Sequence, residues 1–288
     1  MLTIKDIIGK VRELEIRSRR LSDTRFAGEY HSAFKGRGMR FREVREYAAG
    51  DDPRFIDWNV SARFGHPYSK VFEEERELTV MLLVDISASS LLGTVQVSKR
   101  EKMTEICALL AFSAVSNQDK VGVLFFSDEA ELFIPPKKGR EQALFITREL
   151  LTLESAGKQT NIDQAIRFFS KTIRQKSIVF LVSDFLTDGY ADALRVVAAR
   201  HDLIGVQVYD PLDRQLPVAG MVQMEDMESG ETQWLDTSDP LVQFQYTKEF
   251  ESRQAFCREA FRKAGAELLS VCTVDDHVQL LEAFFLKR

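Results

Sequence analysis

Apolar and polar positions change their spacing along this chain, and each spacing predicts a different kind of element. Short continuous apolar runs predict strands buried on both faces, and they occupy residues 80–84, 121–126, 178–182 and 203–208. Between them apolar residues recur at helical spacing, over residues 97–117, 140–153, 162–174 and 190–200. Strands that alternate with helices imply right-handed crossovers and a mainly parallel sheet. The sequence therefore predicts a doubly wound α/β fold with helices on both faces.

The last third of the chain continues this alternation after one interruption. Prolines and glycines break the pattern over residues 211–238, where two short stretches around an acidic turn predict a hairpin insertion. A long helix, a last strand and a closing helix follow, over residues 241–264, 267–272 and 278–286. Earlier in the chain, residues 130–135 predict a short edge strand that Pro135 and Pro136 end.

The first 76 residues have a different pattern. Residues 3–20 predict an amphipathic helix, and Thr3 is a plausible N-cap. Residues 27–77 carry frequent glycines and prolines between short alternating stretches, which favours turns and short strands. We therefore expect a helix and a β-rich segment over residues 1–76, followed by the α/β domain over residues 77–288.

Composition narrows the class of protein. With 288 residues, 44% of them hydrophobic, the chain can bury a sizeable core. Residues 1–72 hold 15 Lys and Arg against 10 Asp and Glu, whereas the remaining residues hold 24 against 34. This asymmetry does not indicate nucleic-acid binding. We interpret it as surfaces that meet each other or a protein partner.

The cysteines and the apolar runs bear on location. Cys107, Cys257 and Cys272 stand far apart in apolar or helical surroundings, which is typical of buried, reduced thiols. No apolar run reaches the roughly 18 to 20 residues of a transmembrane helix, and residues 1–6 do not begin a signal peptide. The sequence thus predicts a cytoplasmic protein without a membrane span.

Oxygen-bearing side chains cluster after two of the predicted strands. Asp85, Ser87 and Ser89 follow the first strand, and Asp184 follows the strand at residues 178–182. Thr160 offers a hydroxyl in a loop before a helix, which Asn161 or Asp163 would cap. Strand ends at a switch point of a doubly wound sheet converge on one crevice. Hard oxygen ligands without His or Cys indicate Mg²⁺, or else Mn²⁺ or Ca²⁺, with Asp184 bound through water.

The segment over residues 50–63 is unusually rich in charged and aromatic side chains. One interpretation is a specific recognition surface for a partner, or a charged network near Asp85. The other is a turn locked by Asp–Arg pairs and anchored by a tryptophan. The candidate partner-binding residues are Asp51, Asp52, Arg54, Asp57, Trp58 and Arg63.

Two resemblances extend this interpretation. Asp85-x-Ser87-x-Ser89, then Thr160, then Asp184 resembles the metal-ion-dependent adhesion site (MIDAS) of the von Willebrand factor A fold. The upstream motifs resemble the bacterial family catalogued as domain of unknown function 58; they are RGMRF (37–41), REY (45–47), GDD (50–52), IDW (56–58), AR (62–63) and FEEERE (72–77). Relatives usually carry Met at the position of Ser90 and often Asp at that of Asn161.

The resemblance implies a metal-dependent protein-binding module that accepts a partner's carboxylate at the metal. It also implies pairing with a MoxR-type AAA+ ATPase, and with other von Willebrand factor A proteins of the same operon, in the assembly, maturation or chaperoning of other proteins. Two alternatives stay open: a Mg²⁺-dependent hydrolase or phosphatase that uses Asp85, and a structural module with an empty site. Haloacid-dehalogenase-like phosphatases need a second Asp where Ser87 stands, so we predict that the protein is not an enzyme.

Overall fold

The computed structural model describes residues 9, 39–48, 51–74, 77–93, 97–155, 157, 159–225 and 230–288. These residues fall into two compact units, which divide between Leu78 and Thr79. The helix predicted over residues 3–20 lies outside the described residues, apart from Gly9. Among the described residues, no helix combines the length and apolar character that crossing a membrane requires.

The smaller unit is an antiparallel strand pair with a short helix between the strands in sequence. Strand β1 (Met39–Glu46) pairs with β2 (Tyr68–Glu74), and helix α1 (Trp58–Phe64) precedes β2. Asp57 caps α1, since its carboxylate accepts the backbone N–H groups of the second and third helical residues. The short strands agree with the sequence pattern, but the pattern did not predict α1.

The larger unit alternates strands and helices as the sequence predicts. In chain order its elements are β3 (Thr79–Asp85), α2 (Lys99–Ser116), β4 (Lys120–Phe126), β5 (Ala130–Lys137), α3 (Arg140–Thr152), α4 (Ile162–Thr172), β6 (Ile178–Ser183), α5 (Ala191–Ala198), β7 (Asp202–Tyr209), α6 (Pro211–Arg214), β8 (Met221–Glu225), β9 (Thr232–Asp236), α7 (Pro240–Ala264), β10 (Glu267–Cys272) and α8 (His277–Lys287). Strands β8 and β9 form an antiparallel hairpin.

One six-stranded sheet organises this unit. Its strand order is β10-β7-β6-β3-β4-β5, and every neighbouring pair is parallel except β4 and β5. Helices α4, α5 and α7 contribute to a core on the face that holds Met81 and Leu181. On the opposite face, Phe285 of α8 meets Phe180 edge-on, with ring centroids 6.4 Å apart. The predicted α/β fold, mainly parallel and covered on both faces, is confirmed.

The prediction that prolines end the edge strand is wrong. Strand β5 continues through Pro135 and Pro136 to Lys137. Among the described strands it pairs with β4 alone. A proline can therefore stand where its missing N–H group would face away from the ladder. The pairing is irregular here, and β5 approaches Gly122 of β4 closely. A Cβ atom on Gly122 would lie 2.8 Å from both the backbone oxygen of Ile134 and the nitrogen of Pro136.

We expect Gly122→Ala to lower the free energy of unfolding by about 1–3 kcal/mol, the usual cost of overpacking a dense interior. The added methyl group would meet backbone atoms, which cannot rotate away as a side chain could. Urea unfolding of the two proteins measures the difference. An unchanged midpoint would show that β5 moves off β4 at no cost.

Candidate metal centre

The candidate centre lies at the carboxyl edge of the sheet, where β3 ends between β4 and β6. Asp85 pairs in register with Phe126 of β4, and Val84 pairs with Val182 of β6. The next pair places Asp85 beside Ser183, and Asp184 follows just beyond the end of β6. This is the edge at which open α/β sheets bind ligands.

Asp85 is buried, with 1% of its surface exposed, and both of its carboxylate oxygens accept hydrogen bonds. Oδ1 accepts the backbone N–H of Ser87 at 2.9 Å, and Oδ2 accepts the hydroxyl of Ser183 at 2.6 Å. Burial raises the pKa of Asp85 to about 6, and the negative charge of Asp184 is the second cause of this increase. Ionised Asp85 is therefore costly to keep in this position unless a cation compensates its charge.

The two serines of the motif lie close together in the turn that follows Asp85. The Oγ atoms of Ser87 and Ser89 are 3.1 Å apart. A 3-10 turn over Ala88–Leu91 orients them, and the hydroxyl of Ser90 closes this turn by donating to the backbone oxygen of Ser87 at 2.7 Å. Ser90 thus stabilises the loop at the position where relatives usually carry Met.

The loop that carries Thr160 is tied to the same edge of the sheet. The backbone N–H of Asn161 donates to the oxygen of Ser127, directly after β4, at 2.7 Å. The side chain of Asn161 caps α4 by accepting the N–H of Gln164 at 3.0 Å, which is one of the two predicted caps. Thr160 is nearly buried. Its loop is therefore attached beside the strand that neighbours Asp85.

Asp184 is buried and already has a cationic partner within the protein. Its Oδ2 atom accepts a hydrogen bond from the Nζ of Lys99 at 2.8 Å, and the N–H of Leu186 lies 3.3 Å from Oδ1. Phe185 follows in the left-handed region, at φ 55°, which is rare for a side chain of this size. Its ring packs edge-on against Phe261, with centroids 5.3 Å apart, so the core stabilises the backbone next to Asp184.

These donors fit a hard divalent cation. Neighbouring ligands of an octahedral Mg²⁺ ion, each about 2.1 Å from the metal, lie about 3 Å apart, close to the 3.1 Å between Ser87 Oγ and Ser89 Oγ. Within the described ranges, no group of three or more His, Cys, Asp and Glu side chains forms a metal cluster by itself. A metal at this edge would therefore depend on the hydroxyls of the two serines and Thr160, together with Asp85.

The sequence patterns missed three residues that this geometry uses. Ser183 was not assigned, because only the strand register shows that it reaches Asp85. Lys99 was detectable, since it stands four residues before Met103 on the apolar face of α2. Asp213, which lies 3.3 Å from the Lys99 ammonium in α6, had no sequence signal.

In the smaller unit, the three candidate acidic residues have partners of their own. Asp51 pairs with Arg45 at 2.7 Å, and Asp52 pairs with Arg54 at 2.6 Å. Asp57 caps α1 and lies 3.4 Å from Lys70. The Asp–Arg pairs that the turn interpretation predicts are therefore present.

The prediction that a tryptophan anchors this turn is wrong. Trp58 is 70% exposed, so its ring does not hold the turn in place. Arg63 is exposed as well, and the side chain of Arg54 is 84% exposed although it pairs with Asp52. Of the candidate partner-binding residues, these three present the most surface to a partner.

The strand order defines a doubly wound, mainly parallel α/β domain. The chain belongs to the family described as protein of unknown function DUF58, whose model matches residues 43–256. An uncharacterised protein of Mycobacterium tuberculosis is 30% identical over 281 residues, which cover 96% of this chain and 88% of that protein.

One solved structure shows the same fold at low sequence identity, and a second is similar more distantly. The crystal structure of an aerotolerance-related membrane protein from Bacteroides fragilis matches with a TM-score of 0.52 and 19% identity, over 73% of this chain and 97% of that one. The VWA domain of SpRpn10 matches with a TM-score of 0.40 and 12% identity, over 72% of this chain and 94% of that domain.

Proposed function

We propose that this chain is a metal-dependent protein-binding module that acts with a MoxR-type AAA+ ATPase in the assembly, maturation or chaperoning of other proteins. Asp85, Ser87, Ser89 and Thr160 would hold Mg²⁺, or Mn²⁺ or Ca²⁺, with Asp184 bound through water. The bound cation would supply an electrophilic position for a carboxylate of a protein partner. Other von Willebrand factor A proteins of the same operon are further candidate partners, as the family resemblance implies.

The observation that carries this proposal is the buried Asp85 carboxylate beside two hydroxyl groups 3.1 Å apart at the sheet edge. A buried carboxylate needs a compensating charge or hydrogen bonds, and Asp85 accepts hydrogen bonds from Ser87 and Ser183. Those bonds fix both of its oxygens. The side chain is therefore positioned before any cation binds, which lowers the cost of binding.

The residue two positions after Asp85 argues against catalysis by phosphoryl transfer. Ser87 stands where the phosphatases need an acid or base, and its hydroxyl cannot exchange a proton near neutral pH. Binding a ligand needs only an open coordination position at the metal. The residues present therefore support binding better than hydrolysis.

We expect a MoxR-type ATPase encoded beside this chain to be retained by the immobilised protein in Mg²⁺ and to be lost in EDTA. Coordination of a partner carboxylate to the metal explains both results. Surface plasmon resonance with alternating Mg²⁺ and EDTA buffers measures the retention. Ser113→Ala is a suitable control, because that buried hydroxyl lies on α2 away from the motif. Equal retention in EDTA would exclude a metal-bridged contact.

A screen of phosphate esters with Mg²⁺ separates binding from catalysis. We expect no turnover above the blank. A turnover that Asp85→Asn abolishes would replace the proposed binding function with hydrolysis.

A separate substitution tests the candidate partner surface on the smaller unit. We expect Trp58→Ala to weaken retention of the ATPase about tenfold or more, since exposed tryptophans are frequent binding hot spots and this ring is 70% exposed. The melting temperature should stay unchanged, because so exposed a ring contributes little to the packed interior. Phe64→Ala, on the same helix and 62% exposed, shows whether any exposed aromatic residue has this effect. Unchanged retention in Trp58→Ala would remove this surface from the proposal.

A further inference from the structure

Lys99 is a fully buried lysine, and its ammonium lies between two aspartates from distant parts of the chain. Its Nζ atom is 2.8 Å from Asp184 Oδ2 and 3.3 Å from Asp213 Oδ2. Burial lowers the pKa of Lys99, but the charges of Asp184 and Asp213 more than offset this and raise it above the ordinary value. The side chain therefore keeps its positive charge near neutral pH.

Both partners of Lys99 are themselves held in place. Asp213 Oδ2 also accepts the backbone N–H of Asp210 at 2.8 Å, as part of the capping box of α6. Asp184 is fixed by the backbone that Phe185 stabilises, and its own backbone oxygen lies 3.3 Å from the side-chain amide of Gln207. The ammonium cannot leave Asp184 without exposing two buried carboxylates to an apolar interior, which is costly.

The charges around the centre follow from this arrangement. Lys99 pairs directly with Asp184, whereas no ion pair within 4 Å to Asp85 is found among the described residues. The charge of Arg100, next to Lys99 in the sequence, acts on Asp85 from a greater distance. A divalent cation would thus enter a site that contains positive charge before it binds, and like charges at short range oppose each other.

We propose that Lys99 is a built-in counter-cation whose ammonium pairs with Asp184 and lowers the affinity of the centre for a divalent cation. This inference rests on the proposed metal site. With Lys99 present, the strand-end residues stay assembled without metal. The weaker metal affinity makes occupancy depend on the cation concentration, and on a partner that adds its own carboxylate.

Two substitutions should change metal affinity in opposite directions. Lys99→Met removes the positive charge and keeps an apolar stem, so Mn²⁺ and Mg²⁺ should bind about tenfold or more tightly than in the wild type. Asp213→Asn removes a negative charge and leaves the ammonium to Asp184 alone, so both cations should bind about threefold or more weakly. A merely structural role for Lys99 would weaken binding in both variants.

Isothermal titration of the full, EDTA-stripped chain with Mn²⁺ and with Mg²⁺ measures both effects. Lys102→Met is the matched control: Lys102 lies one turn further along α2, is also buried, and donates to the backbone oxygen of Asp275 at 3.1 Å. Its metal affinity should stay within about twofold of the wild type. Thermal unfolding supplies a second measurement, in which added Mg²⁺ raises the melting temperature of Lys99→Met more than that of the wild type.

The outcomes separate this inference from the proposed function. Unchanged or weaker binding in a folded Lys99→Met protein overturns the role of Lys99 while wild-type binding still supports the metal site. If Lys99→Met does not fold, equal or tighter binding in Asp213→Asn overturns the inference. Binding in Lys99→Met but not in the wild type supports the role of Lys99 and overturns a metal-dependent function. Absence of binding in every protein overturns both.

Discussion

Replacing Asp85 with asparagine is expected to weaken divalent-cation binding at least about a hundredfold while the protein stays folded. Asparagine keeps the shape of the side chain, so its carbonyl oxygen can still accept the N–H of Ser87, and its amide group can donate to Ser183. It removes the charge that a hard cation needs from this position. Calorimetric titration with Mn²⁺ and Mg²⁺ measures the loss.

The same substitution should stabilise the metal-free protein at pH 8. Burial raises the pKa of Asp85 in the folded protein from 3.8 to about 6, so the stability linked to its proton is present at low pH and is lost as the pH rises through 6. At about 1.4 kcal/mol per pKa unit, the ionised carboxylate costs the folded state about 3 kcal/mol, and asparagine avoids this. Urea unfolding in EDTA should show about half of this gain at pH 5, which lies between the two pKa values, and all of it at pH 8.

Asp119→Asn is the matched control for the cation titration. Asp119 is another nearly buried carboxylate, and it directly precedes β4, at the opposite edge of the sheet. Its replacement should leave cation affinity equal to that of the wild type. Cation binding that survives in Asp85→Asn would mean that the strand end of β3 is not the metal site.

At Phe185, glycine should lower the free energy of unfolding less than alanine does. This is the reverse of the order at an ordinary core residue. Phe185→Ala removes a buried ring that contacts Tyr190 and Phe261, and should cost about 3–5 kcal/mol of unfolding free energy. Phe185→Gly removes the same ring but relieves the left-handed backbone, which costs a non-glycine residue about 1–2 kcal/mol. Glycine should therefore be the more stable of the two variants.

Phe180 is the matched position for this comparison. It is a buried phenylalanine in the middle of β6, where glycine should be about 0.5–1 kcal/mol less stable than alanine. Urea unfolding of the four variants gives both orders. If glycine is the less stable variant at Phe185 as well, the left-handed backbone there carries no cost. Because Phe185 adjoins Asp184, both of its variants should also weaken cation binding, whereas those of Phe180 should affect it less.

The sequence predicted most elements of the larger unit because their signals are local. Strand β10 has the predicted bounds, and α3, from Arg140 to Thr152, ends one residue earlier than predicted. The errors arose where tertiary context overrides a local rule. Strand β5 continues through two prolines because only its β4 side needs hydrogen-bond donors. Helix α1 forms in a stretch that looked like a turn, because Asp57 caps it.

The residues of the candidate centre were predictable in part. Asp85, Ser87 and Ser89 follow a buried apolar run at every second position, a pattern that is visible in the sequence alone. Thr160 and Asp184 were assigned through the family resemblance and the expected convergence of strand ends. The structure attaches the Thr160 loop beside β4 and places Asp184 beyond β6, on either side of Asp85. Their joint role as metal ligands stays a prediction that the titrations above test.

By itself, the sequence determined the alternation of strands and helices, the burial of β3 and the oxygen-rich residues at its end, because these depend on side-chain order along one segment. Only the tertiary structure decided that Ser183 binds Asp85 and that Lys99 pairs with Asp184 and Asp213. Those contacts join residues 98, 85 and 114 positions apart. Strand register and helix packing bring such residues together, and neither is encoded in the spacing of any single segment.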